Sequence, residues 1–99
     1  MFRHVVTFRW NGDSTPDHVA ALERALSGLP ALLPDLRRYA YGTDAGINEG
    51  NYDFAVVAEF DNSDGYLAYR DNDEHARIIQ THIAPYLESR TVVQFDFDD

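Results

Sequence analysis

A tyrosine and a histidine near the C-terminal end, Tyr69 and His75, have side chains suited to proton transfer. Imidazole exchanges protons near neutral pH, and a phenol can donate a hydrogen bond to a carbonyl or a developing enolate. Six residues of continuous helix would turn Tyr69 well away from His75. The polar run from Asp71 to Asp73 predicts a helix break that lets the two side chains converge. The alternative is a core tyrosine and a hydrogen-bonded structural histidine.

Other residues could complete a pocket around this pair. His75 and His82 recur on the apolar stripe of one predicted helix, although packing explains His82 better. His4 lies on the face of the first strand that we expect the helices to cover, in the same layer as Tyr69. Several polar groups in one apolar layer are typical of a small-molecule pocket. The predicted ligand-binding residues are His4, Trp10, Tyr41, Phe54 and Ile79, although core packing explains the aromatic members equally well.

The sequence predicts neither a metal site nor a cofactor. His75 and His82 are roughly 10 Å apart along a helix, too far to share one ion. The acidic residues between Asp71 and Glu74 are better explained as helix caps than as ligands of a divalent cation. No Ser-His-Asp order, phosphate-binding loop or dinucleotide fingerprint is present.

Length and composition indicate one domain over residues 1–99. The chain is 44% hydrophobic, lacks cysteine and has a net charge of −9. This acidity disfavours nucleic acid and anionic membrane surfaces as partners. No apolar run approaches the roughly 20 residues of a membrane span, and charges interrupt the N-terminus too often for a signal peptide. We therefore expect a cytoplasmic protein.

Hydrophobic periodicity predicts the order β-α-β-β-α-β. Strands are expected at about residues 2–10, 36–41, 53–60 and 90–97. A first helix begins at Pro16 after a Ser14 or Thr15 cap, and ends at the sequence GLP. A short helix over 64–69 is followed by a longer helix over 74–87, capped by an Asp71–Glu74 capping box. The fold class is α+β: a ferredoxin-like, four-stranded antiparallel sheet with helices on one face.

The two faces of this sheet differ in composition. The expected helix-covered face is strongly apolar and includes Thr91, Val93, Phe95 and Phe97 of the last strand. The opposite face mixes charged residues with small or branched apolar ones. Its predicted members are Val5, Thr7, Arg9, Arg38, Ala40, Ala55, Val57, Glu59, Val92 and Gln94. Such a face can pack on a copy of itself across a two-fold axis, so we predict a homodimer through the sheet.

The chain resembles the stress-responsive A/B barrel (Dabb) domain family over nearly its whole length. The resemblance lies in the segments RHVVTFRW, LPDLRRYAYG, YDFAVVAEF, YRDNDEH and IAPY, in this order. It implies a dimeric α+β barrel with a small apolar ligand pocket between sheet and helices in each protomer. Most members of the family have no assigned reaction.

A more distant resemblance is to the plant polyketide cyclases of the olivetolic acid cyclase type. Tyr69 and His75 match the first and last positions of their Tyr-x-x-His-Pro-x-His motif, and His4 matches a histidine of their first strand. Asn72-Asp73 replaces His-Pro, and Phe54 replaces a further pocket histidine. The resemblance implies an aldol-type ring closure with His75 as base and Tyr69 as hydrogen-bond donor to a polyketide-like ligand.

Three functions are therefore considered. The first is a homodimer that binds a small apolar ligand without an assigned reaction, and the second is the cyclase-like enzyme. The third is a heme-degrading or cofactor-free monooxygenase of the same barrel fold. It would depend on His75 or His82 as an axial ligand, and nothing else in the sequence favours it.

Overall fold

A computed structural model describes residues 1–98 of the chain. The predicted domain extends to residue 99, which lies outside the described residues. The strands are β1 (Phe2–Trp10), β2 (Leu36–Thr43), β3 (Phe54–Phe60) and β4 (Leu87–Asp96). The α-helices are α1 (Pro16–Ser27), α2 (Ser63–Asp71) and α3 (Asp73–Ile78). Short 3₁₀ turns span Pro30–Leu32 and Ala84–Tyr86, with a π-helical segment at Ile79–Ile83.

The four strands form one antiparallel sheet in the order β2-β3-β1-β4. Strand β1 alternates between buried and partly exposed residues, because successive side chains point to opposite faces. His4, Val6 and Phe8 point to the helices, and they lie opposite Ala58, Val56 and Phe54 of β3 in register. The helices cover this face, and the predicted ferredoxin-like fold is confirmed.

The first helix begins where its sequence predicts. The Thr15 hydroxyl accepts a hydrogen bond from the His18 backbone N–H at 3.2 Å, and Pro16 occupies the first turn, where no N–H is needed. Leu22 and Leu26 are buried on the sheet. Val19, which belongs to the predicted apolar stripe, packs at the edge of this core.

The break between α2 and α3 is centred on Asn72. This residue has extended dihedral angles (φ −67°, ψ 132°) and ends α2 while capping α3. Its side-chain oxygen accepts a hydrogen bond from the His75 backbone N–H at 3.1 Å. The predicted Asp71–Glu74 capping box is therefore wrong: Asp71 still belongs to α2, and its carboxylate pairs with Arg70. The side-chain amide oxygen of Asn72, one residue later, already accepts a hydrogen bond from the first turn of α3.

The helix predicted over 74–87 is confirmed as a helical segment over residues 73–86, but not as one regular α-helix. Regular α-helix stops at Ile78, and the chain then widens into the π-helical segment and tightens into the 3₁₀ turn before β4. Pro85 lies in that last turn, and its ring cannot donate a helical hydrogen bond. π-helical segments are rare and are frequent at functional sites.

The expected side-chain orientation of β4 is reversed. The β4 residues that face the helices are those paired with the helix-facing residues of β1. They are Arg90, Val92 and Gln94, which lie opposite Phe8, Val6 and His4. Thr91, Val93 and Phe95 share the outer face instead, opposite Thr7, Val5 and Arg3. Thr91, Val93 and Phe95 are more apolar than Arg90, Val92 and Gln94, so apolarity alone favoured the opposite orientation, and only pairing with β1 decides it.

Within residues 1–98, none of the helices has the length and apolar character required to cross a membrane.

Candidate functional site

A cavity of about 360 Å³ lies between the sheet and the C-terminal helical segments. Strands β1 and β4 form its floor, and α2, α3 and the π-helical segment form its wall. Its apolar lining consists of Val6, Phe8, Leu26, Val56, Ile78, Ile79, Ile83, Ala84, Leu87 and Val92. Its polar or charged lining consists of His4, Tyr66, Tyr69, Arg70, His75 and Arg90. Such a mainly apolar cavity with a few polar groups is the usual form of a small-molecule site.

Tyr69 and His75 meet in this cavity. Their ring centroids are 4.1 Å apart and their planes are inclined by 39°. The break at Asn72 produces this contact by restarting the helix along a new direction between the two residues. The Tyr69 ring is buried, and its hydroxyl is 3.0 Å from the hydroxyl of Tyr39 on β2. Burial raises the pKa of Tyr69 to about 12, so the phenol remains protonated and can donate a hydrogen bond.

His75 carries an unused hydrogen-bonding atom. Its Nδ1 is buried and has no hydrogen-bond partner within residues 1–98. Burial lowers the pKa of His75 below its usual value, and a hydrogen bond to the backbone of Arg70 opposes this effect. The lowered pKa keeps the ring neutral at physiological pH, and a neutral imidazole has one nitrogen free of a proton, the form required of a general base.

His4 is buried on the floor of the same cavity. Its Nδ1 accepts a hydrogen bond from the Gln94 side-chain amide at 3.0 Å, and the same amide donates to the Tyr66 hydroxyl at 3.0 Å. The His4 ring lies 4.8 Å from that of Tyr66 and 6.1 Å from that of Tyr69. Burial, with smaller contributions from His75 and Arg90, lowers the pKa of His4 to about 4. The imidazole is therefore neutral at physiological pH.

The structure brings together some of the predicted site residues and separates others. His4, Tyr69, His75 and Ile79 line the cavity, whereas Trp10, Tyr41 and Phe54 do not. Phe54 is buried in the core, and Trp10 packs against Phe8 and His18. Tyr41 lies edge-on to Tyr39 on β2. These aromatic residues share a sheet face with His4, but they lie towards other parts of that face.

Tyr66, Arg70 and Arg90 are polar cavity residues that sequence reasoning missed. Tyr66 precedes Tyr69 by three residues, so helical periodicity on α2 could have placed both on one face. Arg90 was missed because the orientation assigned to β4 was reversed. With the observed register, Arg90 lies opposite Phe8 on the helix-facing side of the sheet.

A third histidine, His18, lies outside the cavity in a fully satisfied environment. Its Nε2 donates a hydrogen bond to the His82 carbonyl at 2.6 Å, and its Nδ1 accepts one from the Ser14 hydroxyl at 2.9 Å. Its ring stacks on Tyr86 with a centroid distance of 3.7 Å and meets the edge of Trp10. These contacts join α1 to the C-terminal helical segment. His82 contributes its backbone carbonyl here and does not line the cavity.

No group of three or more potential metal-ligating histidine, aspartate or glutamate side chains occurs in the described part of the chain.

Comparison with solved structures gives relatives of the same fold. A dimeric ferredoxin-like protein of unknown function from Thermobifida fusca is 49% identical, with a TM-score of 0.90 over 97% of this chain and 90% of that chain. A dimeric protein of unknown function from Bacteroides fragilis is 26% identical, with a TM-score of 0.78 over 97% of this chain and 95% of its own.

A hydroxynitrile lyase from Passiflora edulis has a TM-score of 0.83 at 16% identity, covering 99% of this chain and 94% of the lyase. At that identity the likeness shows the fold alone. No curated protein matches the chain. The model of the Stress responsive A/B Barrel Domain matches residues 2–98. With this match and the Thermobifida fusca relative, the chain belongs to the Stress responsive A/B Barrel Domain (Dabb) family.

Proposed function

We propose that this protein is a homodimeric small-molecule-binding protein whose cavity receives one apolar ligand per protomer. The observation that carries the proposal is the mainly apolar cavity of about 360 Å³, whose lining includes the polar side chains of His4, Tyr69 and His75. Such a cavity offers contact to a hydrocarbon body and a few hydrogen-bonding groups to a polar head. The neighbouring π-helical segment supplies Ile79 and Ile83 to the same wall.

Binding can be tested with decanamide, a neutral molecule with an alkyl chain. We expect saturable binding of one molecule per protomer by calorimetry or by NMR titration. Val92 lines the cavity from β4 and is partly exposed at its rim, so Val92→Phe should fill the space and abolish binding. Leu67→Phe is the matched control, because Leu67 is exposed on α2 outside the cavity. Absence of decanamide binding by the wild type would refute the proposal.

The proposed dimer forms through the outer face of the sheet. Val93 and Phe95 on β4 are exposed there, at 60% and 40%, beside Val5 and Val57 of the neighbouring strands. Exposed apolar side chains on one flat face are characteristic of an interface. The Thermobifida fusca relative, 49% identical, is described as dimeric, which supports this assembly.

Sedimentation of variants tests the interface. Val93→Glu places a carboxylate in the middle of the apolar patch, and we expect it to sediment as a monomer. Leu67→Glu is the control, because it adds the same charge to an exposed apolar position on the helical side and should remain dimeric. A wild-type monomer, or a Val93→Glu dimer as stable as the wild type, contradicts the proposed interface.

A second candidate function is an aldol-type cyclisation of a polyketide-like compound. It is favoured by the lowered pKa of His75 and by its contact with Tyr69. The His75 imidazole would take a proton from a carbon between two carbonyl groups, and the electron pair would move to the carbonyl oxygen as an enolate. If Tyr39 donates to the Tyr69 oxygen, the Tyr69 proton is left for that enolate oxygen. The enolate carbon then attacks a second carbonyl of the same chain and closes the ring, and the alkoxide formed there takes the proton back from the His75 imidazolium.

This candidate is tested with a linear poly-β-carbonyl compound and the absorbance of the cyclised product. We expect His75→Gln to lower the rate by about 100-fold or more, as for loss of a general base. Tyr69→Phe should lower it less, whereas His82→Gln should leave it unchanged. Unchanged turnover in both cavity variants would eliminate the enzymatic function and leave the binding function standing.

A further inference from the structure

The charged side chains that line the cavity are all cationic. The chain has 17 acidic and 8 basic residues, yet no carboxylate is among the lining residues, whereas Arg70 and Arg90 are. A random selection from this composition would favour acids. The cavity is therefore the part of an acidic protein that is arranged to accept negative charge.

The two arginines differ in their pairing. Arg70 already binds a carboxylate, because its Nε lies 2.9 Å from Asp71. Arg90 forms no salt bridge within residues 1–98. It faces the helices from the edge strand, opposite Phe8 and two residues from Val92, and it is exposed at the cavity rim. A guanidinium with five donors and no protein carboxylate is suited to bidentate recognition of one from a ligand.

The two histidines of the cavity can offer an anionic ligand hydrogen bonds but no positive charge. His4 and His75 are both held neutral, so neither supplies a competing positive charge at physiological pH. Ligand charge must therefore be met at Arg90. The apolar side chains of Ile79, Ile83 and Val92 also line the cavity and can contact a hydrocarbon chain.

We propose that the natural ligand is an amphipathic carboxylate, with its anionic head on Arg90 and its apolar chain in the cavity. This inference rests on the proposed binding function and adds the chemical class of the ligand. A water molecule occupies about 30 Å³ of liquid, so the cavity holds about a dozen non-hydrogen atoms. A carboxylate with a medium-length alkyl chain or a substituted aromatic ring has this size.

The experiment compares decanoate with decanamide, which have the same shape and differ in charge. Calorimetry at pH 8 should show that the wild type binds decanoate about 10- to 100-fold more tightly, the usual effect of a hydrogen-bonded charge. Arg90→Gln should remove this preference, so that decanoate and decanamide bind with equal affinity. Thermal unfolding should be unaffected, because Arg90 is exposed and has no described side-chain hydrogen bond.

Matched variants identify the responsible group. Arg24→Gln removes one exposed positive charge on α1 from a residue that does not line the cavity, and should keep the preference. Arg70→Gln should keep most of it, because that guanidinium is already paired. Equal binding of both probes by the wild type overturns the inference while the proposed function stands. Binding of neither probe overturns both, and a preference that survives Arg90→Gln excludes Arg90 as the recognition group.

Discussion

The cavity and the His18 contact site place histidines in opposite situations. At the contact site, His18 uses both ring nitrogens within the protein and stacks on Tyr86. In the cavity, His75 leaves Nδ1 buried and unpartnered beside Tyr69. A fully satisfied histidine stabilises the fold, whereas a buried ring nitrogen without a partner costs stability. The residue type alone therefore does not distinguish a structural histidine from a functional one.

The largest expected effect is at His18. Replacing it with alanine removes two buried hydrogen bonds and a stacked ring, and should lower the free energy of unfolding by about 3 kcal/mol. Urea denaturation measures this loss, with His82→Ala as the control, because only the backbone carbonyl of His82 takes part. A loss under about 1 kcal/mol would show that the contact between α1 and the C-terminal segment is not structural.

The next effect is the pH dependence caused by His4. Its pKa is lowered from 6.5 to about 4 by folding, so between these values the unfolded chain binds the proton more readily. Stability is therefore full above pH 6.5, is lower by about 2 kcal/mol at pH 5 and continues to fall towards pH 4. Folding also lowers the pKa of His75, so His75 adds to the loss of stability as the pH falls.

Urea denaturation between pH 5 and 7.5 measures this slope, above the range where surface carboxylates titrate. In His4→Gln the slope of stability against pH should decrease, because glutamine cannot be protonated. The contribution of His75 to the slope should remain. A wild-type stability that is constant over this range contradicts a neutral, buried His4.

A smaller effect concerns Asn72, the cap that positions His75. Asn72→Ala removes the side-chain acceptor for the His75 N–H and should cost about 1 kcal/mol in urea denaturation. It should also loosen the Tyr69–His75 contact and weaken decanamide binding. Asn72→Asp retains an acceptor and should behave like the wild type; equal losses in both variants would mean that capping is not what Asn72 contributes.

The smallest expected effect tests the difference between His18 and His75 most directly. His75→Leu removes the buried, unpartnered Nδ1 and replaces the ring with an apolar side chain in an apolar wall. The free energy of unfolding should change by less than about 1 kcal/mol, with an increase as the favoured direction. Urea denaturation of His75→Leu and His18→Ala under the same conditions compares the two losses directly. A loss as large as that of His18→Ala would make His75 a structural residue.

Much of the fold could be predicted from the sequence, because its signals are local. The alternation in β1, the Thr15–Pro16 helix start and the polar break before His75 depend on neighbours a few residues away. The prediction that Tyr69, His75 and His4 share one layer followed from these patterns. The exact cap at Asn72 was missed because Asp71, Asn72 and Asp73 are all good cap residues, and backbone geometry selects among them.

Other features could not be predicted because they depend on pairing between distant segments. The aromatic residues Trp10, Tyr41 and Phe54 share the face of His4, and the sequence does not show which part of that face stays open. His18 was not recognised as a site, because its partners Ser14, His82 and Tyr86 combine local and distant contacts.

By itself, the sequence determined the order of strands and helices and the position of the kink, since periodicity and capping act over one or two turns. The tertiary structure alone decided which face of β4 meets the helices, and therefore that Arg90 reaches the cavity. The more apolar residues Thr91, Val93 and Phe95 face away from the helices, so the hydrophobic pattern favoured the opposite orientation, and hydrogen bonding with β1 fixes the choice.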